Sequence, residues 1–359
     1  MLERPQIAIV DWHEKRAFYK PLTEAFAADW SDVAPPALAV NPPAVDLIIV
    51  NDETWPFCAA GIAEANRRRI PTLHLPDGIC EWRNTWENAR RMPFMQPVLA
   101  TTIACLGAAQ ARLIESWGNQ GKCVVTGSPR FDALIGRRPR VREGSEAPAI
   151  LIATARQPAF NSDHRQAVTA ALVDLQTWFR GHPEVRPIWR LTSGLDEEVG
   201  IENTMRTPLL EQLGQVDAVI ATPGNVILEA MLHGLPVAMC DYTNSPAYIT
   251  AAWTITASAH IPAIIPGLLS PVPHRLAWQR TLLADQLECR TPATPRVIEL
   301  IERMIGGRAA TGAPNLPPDS RNRELETEIA HLRHALSIRP AQILYRALCE
   351  LKRRLGSRP

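Results

Sequence analysis

The sequence predicts an α/β fold: two Rossmann-like, doubly wound parallel-sheet domains facing across a cleft, followed by a helical C-terminal tail. Three observations carry this. Apolar runs of four or five residues alternate with helix-length amphipathic segments, the pattern of strands buried on both faces and covered by helices. The alternation stops once, in a polar, basic, apolar-poor stretch, and then restarts. After residue 306 it gives way to a Gly/Ala/Pro-rich segment and then to short heptad-like spacing. The chain has 359 residues, enough for two domains that each bury their own core.

Taken in order, residues 6–10 read as a strand, 17–28 as a helix, 46–50 as a strand and 59–69 as a helix. Strands at 72–75 and 102–106, a helix at 108–117 and a strand at 122–125 complete the first domain, residues 1–136. Residues 137–149 are the interdomain linker. In the second domain, 150–306, a strand at 150–153 leads into a long helix to about Phe179, then a strand at 185–191 and a helix at 205–213. Small residues and prolines dominate 241–273, and helices return at 274–287 and 295–305; chains of this fold class often cross back to cap the first domain with their last helices, and these two are the candidates.

Composition narrows the function. Hydrophobic content of 46% with 21% charged residues is globular, and a net charge of +1 argues against bulk electrostatic binding to nucleic acid. Seven cysteines are scattered, odd in number and without a C-x-x-C pair, which predicts reduced thiols in a cytoplasm and no zinc site. The chain enters a strand directly after its N-terminus, which predicts no secretory leader, and no apolar run approaches a membrane span. Dispersed histidines predict no metal site.

The most informative stretch is 217–239, DAVIATPGNVILEAMLHGLPVAM. It reads as a buried strand, a small-residue turn at Thr222, Pro223, Gly224 and Asn225, a helix, a Gly stop and a second buried strand. Such a turn lies at the carboxyl edge of the sheet, where free N–H groups and the helix dipole suit a phosphate. Glu229, about one and a half turns into that helix, can accept hydrogen bonds from ribose hydroxyls. An ordinary α/β turn with a surface Glu is the competing reading.

This stretch resembles the donor-binding segment of GT-B glycosyltransferases. A second segment, 124–132 (VVTGSPRFD), is similar to the V-x-G-x-P-R-x-D ending of the N-terminal domain in bacterial surface-polysaccharide glycosyltransferases, CDP-glycerol glycerophosphotransferases and UDP-GlcNAc 2-epimerase relatives. It brings Ser128 and Arg130 into the candidate cleft. The resemblance implies a nucleotide-sugar partner, a UDP- or CMP-sugar, as co-substrate, no other cofactor and no divalent ion.

In the first domain, Asp77 and Gly78 follow a strand immediately, which places a carboxylate at the cleft edge. Relatives hold His-Gly there, with the His as base; Asp77 departs from that pattern and is the candidate base or nucleophile. A turn-capping role for Asp77 competes with this. Glu81, Trp82 and Arg83 add an acid, a stacking face and a fixed cation to the acceptor side, unless they serve interdomain packing. On the donor side, Arg156 follows Thr154 after one strand, and Arg190 and Ser193 follow the next; each cluster suits a diphosphate or a sugar carboxylate. His13, after the first strand, is a further cleft candidate.

Residues 307–320 look like a flexible linker, and 321–359 like a basic amphipathic tail. Leu325, Ile329, Leu332 and Leu336 make a short coiled-coil-like seam, and a second helix follows with Arg346, Lys352, Arg353 and Arg354 on or near its polar side. Such a tail suits an anionic membrane surface or a partner helix, unless it packs back on the enzyme or pairs in a dimer. The reading is a glycosyltransferase carrying a sugar to a glycan or glycolipid acceptor, in the cytoplasm and peripheral to the membrane. A retaining Kdo transferase using CMP-Kdo, a sugar-nucleotide 2-epimerase and a non-catalytic glycan-assembly protein are the alternatives.

Overall fold

A computed structural model describes residues 4–10, 16–53, 56–87, 95–142 and 146–308. His13 and the tail at 321–359 lie outside the described residues. Among those described, the first half contains strands β1 (Gln6–Val10), β2 (Asp29–Val33), β3 (Leu47–Val50), β4 (Thr72–His74), β5 (Thr102–Cys105) and β6 (Cys123–Val125). They form one sheet in the order β2-β1-β3-β4-β5-β6, every pair parallel. Helices α1 (Arg16–Ala25), α2 (Pro35–Val40), α3 (Pro56–Arg67), α4 (Trp82–Trp86) and α5 (Ala108–Ser116) connect them, and a 3-10 turn at Pro129–Leu134 follows β6.

The second half repeats the plan. Strands β7 (Ala149–Ala153), β8 (Arg186–Arg190), β9 (Ala218–Ala221), β10 (Val237–Cys240) and β11 (Trp253–Ile255) form a parallel sheet in the order β11-β10-β9-β7-β8. Its helices are α6 (Ser162–Gly181), α7 (Leu195–Val199), α8 (Leu209–Leu213), α9 (Asn225–Leu232), α10 (Ile261–Leu269), α11 (Pro273–Gln286) and α12 (Ala293–Arg308). Every residue of β3, β7, β9 and β10 is buried, as strands covered on both faces require. These are the runs on which the two-sheet prediction rested, and the predicted fold class is the one observed.

The differences lie at the edges. Strand β2 (DWSDV) is polar and largely exposed because it pairs on one side only, so it carries no hydrophobic signal. Strand β11 and α10 occupy the stretch where small residues and prolines obscure periodicity. The helix expected over 205–213 begins only at Leu209, after Pro208, because residues 203–207 fold back onto the edge of β8.

The last helix crosses to the first sheet. Val297, Leu300 and Ile301 of α12 pack on Ile7, Ile9, Tyr19 and Leu22, each contributing about 1.5–3 kcal/mol by burial. The segment 124–132 organises this crossing. Asp132 accepts hydrogen bonds from the backbone N–H of Ala293 (2.6 Å) and Thr294 (2.9 Å) at the start of α12. Gly127 adopts φ +75°, and a Cβ there would stand 2.4 Å from the carbonyl oxygen of Glu288, so only glycine lets the returning chain pass. No described helix is long and apolar enough to cross a membrane.

Candidate functional site

Strand β9 ends at Ala221, and the chain turns through Thr222, Pro223 and Gly224 into α9. The first N–H groups of a helix have no acceptor within it, and its dipole favours an anion at this end. Gly224 is extended rather than strained; its small size matters because a Cβ would stand 3.1 Å from that of Ala155. Thr222 is buried, and its hydroxyl accepts the backbone N–H of Ala155 at 2.7 Å, tying the ends of β7 and β9 together. Thr154 and Thr192 extend the stitching, with their hydroxyls 2.9 Å apart. These threonines shape the sheet edge more than they offer open hydroxyls.

Glu229 is buried, and its Oε1 accepts from Arg130 Nε at 3.2 Å, a contact between the two halves of the chain. Its other oxygen, Oε2, is buried without a hydrogen-bond partner. The hydroxyl of Ser128, two residues before Arg130, is likewise buried and unpartnered. A buried carboxylate oxygen left in this state lacks its compensating hydrogen bond, and a ligand hydroxyl supplies one. Arg190 stands near Glu229: burial holds the guanidinium below its ordinary value, and the Glu229 charge opposes this. Its Nη1 donates to the carbonyls of Met205 and Thr207 and to Gln212 Oε1, so part of Arg190 props the 203–207 segment. Arg156 and Ser193 lie exposed on neighbouring loops, joined by Ser193 Oγ donating to the Arg156 carbonyl at 3.4 Å. No described contact links these two to Glu229 or Asp77.

On the opposite wall, Asp77 is half-buried in the loop after β4, directly over the first turn of α9. Asn225 Oδ1 accepts the N–H of Ile79 at 3.0 Å, and its Nδ2 donates to the Asp77 carbonyl at 3.4 Å. The Asn225 amide, expected to meet the donor, is therefore committed to the other half of the chain. Gly78 makes that approach possible, since a Cβ on it would stand 2.3 Å from Asn225 Nδ2.

Residues 81–87 continue across the joint. Glu81 caps α4 by accepting the N–H of Asn84 at 3.1 Å and pairs closely with Arg83. Burial pushes the Glu81 carboxyl up, against the pull of Arg83. Arg83 is only 1% exposed; it donates to the Pro158 carbonyl at 3.4 Å, lies 3.9 Å from Asp241 and sits over the Phe160 ring. Its Nη2 has no hydrogen-bond partner among the described residues. Trp82 donates from Nε1 to Glu87 at 3.0 Å, and His164 Nε2 lies 2.6 Å from the same carboxylate.

The structure thus brings Asp77 to Asn225, Arg130 to Glu229, and Glu81 and Arg83 to Asp241. Sequence reading missed Asp241, Tyr248, and the Glu87 and His164 pair. An acid directly after a buried strand was a usable signal for Asp241; the other contacts are set by chain crossing and had none. It also missed Glu53, whose carboxylate accepts the N–H of Leu99 (2.7 Å) and Ala100 (3.2 Å) and meets His74 Nδ1 at 2.9 Å, pinning the 95–100 segment to β4. Among the described residues no three His, Cys, Asp or Glu side chains converge to hold a metal ion.

No protein-family model matches this sequence, and no curated protein matches it. Solved structures do match in fold. UDP-GlcNAc 2-epimerase from Neisseria meningitidis, bound to UDP-GlcNAc, superposes with a TM-score of 0.58 at 12% identity, covering 83% of this chain and 99% of that one. The wall teichoic acid polymerase TagF gives 0.54 at 11% identity, over 86% and 90%. The glycosyltransferase of kitacinnamycin gives 0.54 at 14% identity, over 84% and 100%. The fold is therefore GT-B: two parallel-sheet domains meeting at their carboxyl edges.

Proposed function

We propose that this chain is a GT-B enzyme that binds a nucleotide sugar on its second half, against the Thr222–Asn225 turn and Glu229, and transfers the sugar to a glycan or glycolipid acceptor. The observation that carries the reading is the Glu229 carboxylate: buried, held on one oxygen by Arg130 and unpartnered on the other, one turn past a helix start suited to phosphate. A ribose diol completes such a carboxylate. Arg130 and Arg190 flank it with positive charge for the phosphates. Asp77, over the same helix start, is the base toward the acceptor hydroxyl or the nucleophile that takes the sugar first.

The neighbours support a nucleotide-linked substrate: one is bound to UDP-GlcNAc, another is a teichoic acid polymerase. We place the acceptor among surface polysaccharides, with the basic tail as a peripheral membrane contact. A 2-epimerase is the second reading, supported by a superposition that spans 99% of an epimerase chain.

Calorimetry with UDP, CDP, GDP and CMP tests the binding site. One nucleotide should bind, and Glu229→Ala should weaken it by about 1–3 kcal/mol, the cost of leaving hydroxyls unpaired. Unchanged affinity in the variant refutes the placement. Incubation with single nucleotide sugars separates the readings, since an epimerase converts the donor without an acceptor.

A further inference from the structure

Four aromatic rings meet at the joint between the halves, none of them part of either sheet. Trp82 and Trp86 come from α4, Trp117 from the end of α5, and Tyr248 from the loop after β10. Tyr248 lies 5.5 Å from Trp82 and 5.6 Å from Trp117, centroid to centroid. Trp86 lies 5.8 Å from Trp82 and 6.2 Å from Trp117, and its Nε1 donates to the Tyr248 hydroxyl at 2.6 Å. Trp86 is 48% exposed, so about half of it is open to solvent beside the other three rings.

The rim of this cluster is polar. Glu87 keeps 34% of its side chain exposed, accepts from Trp82 Nε1 and from the Ser245 hydroxyl, and lies 2.6 Å from His164 Nε2. A carboxylate has about four acceptor positions, so with three groups against it Glu87 can still receive one ligand hydroxyl. Aromatic faces with hydroxyl and carboxylate groups at their edges suit a ring that is apolar on its C–H face and hydroxylated at its rim. A lipid chain would leave the Tyr248 O–H and the remaining acceptor position of Glu87 buried and unpaired. An anionic sugar would face the Glu87 charge.

We propose that Trp82, Trp86, Trp117 and Tyr248 form a saccharide subsite, composite of both halves of the chain, that receives a neutral pyranose of the acceptor. The proposal rests on the glycosyl-transfer reading above and deepens it by placing the acceptor on the flank opened by Trp86. Because Tyr248 comes from the second half, the subsite is complete only when the two halves are docked.

The test uses the full chain titrated with maltotriose, cellotriose and chitotriose, followed by tryptophan fluorescence and saturation-transfer NMR. At least one trisaccharide should bind. Trp86→Ala and, separately, Trp117→Ala should weaken it by at least about tenfold, while the nucleotide-induced rise in melting temperature persists. Binding of none of the three, or equal binding by both variants, overturns the proposal. Variants that expand the molecule in X-ray scattering yet keep saccharide affinity make the cluster a domain clasp, which also overturns it. If saccharide binds through these residues but no nucleotide binds, the subsite stands and the nucleotide-sugar reading falls.

Discussion

Replacing Gly78 with Ala should undock the Asp77 loop from the second half. The added Cβ would lie 2.3, 2.4 and 2.8 Å from Nδ2, Oδ1 and Cγ of Asn225, inside contact distance for all three. Asn225 must then swing away. That removes its bond to the Ile79 N–H, at 3.0 Å, and the weaker one to the Asp77 carbonyl, at 3.4 Å. Leaving a part-buried N–H unpaired costs about 1–3 kcal/mol, and the second bond adds about 0.5–1.5. The sum, about 1.5–4.5 kcal/mol, lowers the docked-to-undocked ratio roughly 10- to 1,600-fold. A double-mutant cycle in denaturant checks the cause: on an Asn225→Ala background the same substitution should cost less than about 1 kcal/mol. X-ray scattering should show the single variant more open. If Gly78→Ala costs the same in both backgrounds, the clash with Asn225 is not the reason for the glycine.

Other consequences are equally direct. Asp77→Asn keeps the shape but removes the charge, so turnover should fall about 100-fold or more while calorimetric nucleotide affinity stays within about twofold. Arg83→Ala leaves Glu81 and Asp241 facing each other in a buried site, and denaturant unfolding should show a loss of about 3–5 kcal/mol. Glu81→Gln should also destabilise in the same assay, because its one amide oxygen can serve either the Arg83 guanidinium or the Asn84 N–H and its NH2 faces the other donor. His233 is buried with both ring nitrogens unpartnered; burial, and then Arg137, hold it below its ordinary value of 6.5. The unfolded chain therefore takes up the proton first, and stability should fall as pH drops below about 6.5. His233→Leu should flatten that slope between pH 8 and 5.5, measured as denaturant midpoints.

Within the cleft, the residue types were readable but their partners were not. Glu229 on the helix after the small-residue turn, and Asp77 after β4, follow from where buried strands end. That Asn225 reaches back 146 residues to Ile79, or Arg130 forward 99 to Glu229, does not. Local pattern reports which face of an element is buried, and it carries no record of what covers that face. Arg83 shows the same limit: in sequence it is a cation beside an acid and a tryptophan, and in the structure it is 1% exposed between two carboxylates.

The sequence was enough for the class of fold, because strands buried on both faces need unbroken apolar runs, as at 47–50, 149–153, 218–221 and 237–240. It was also enough for the turn before α9, since small residues between a strand and a helix restrict the backbone locally. Edge strands such as β2 left no mark, because an element covered on one side only is free to be polar. The crossing of α12 onto the first sheet, the cap on it by Asp132 and the joining of residues 77–87 to the second half emerged only in three dimensions. Those contacts depend on which surfaces remain after each half has folded, and that is settled by shape and charge across distances in the chain that no local pattern spans.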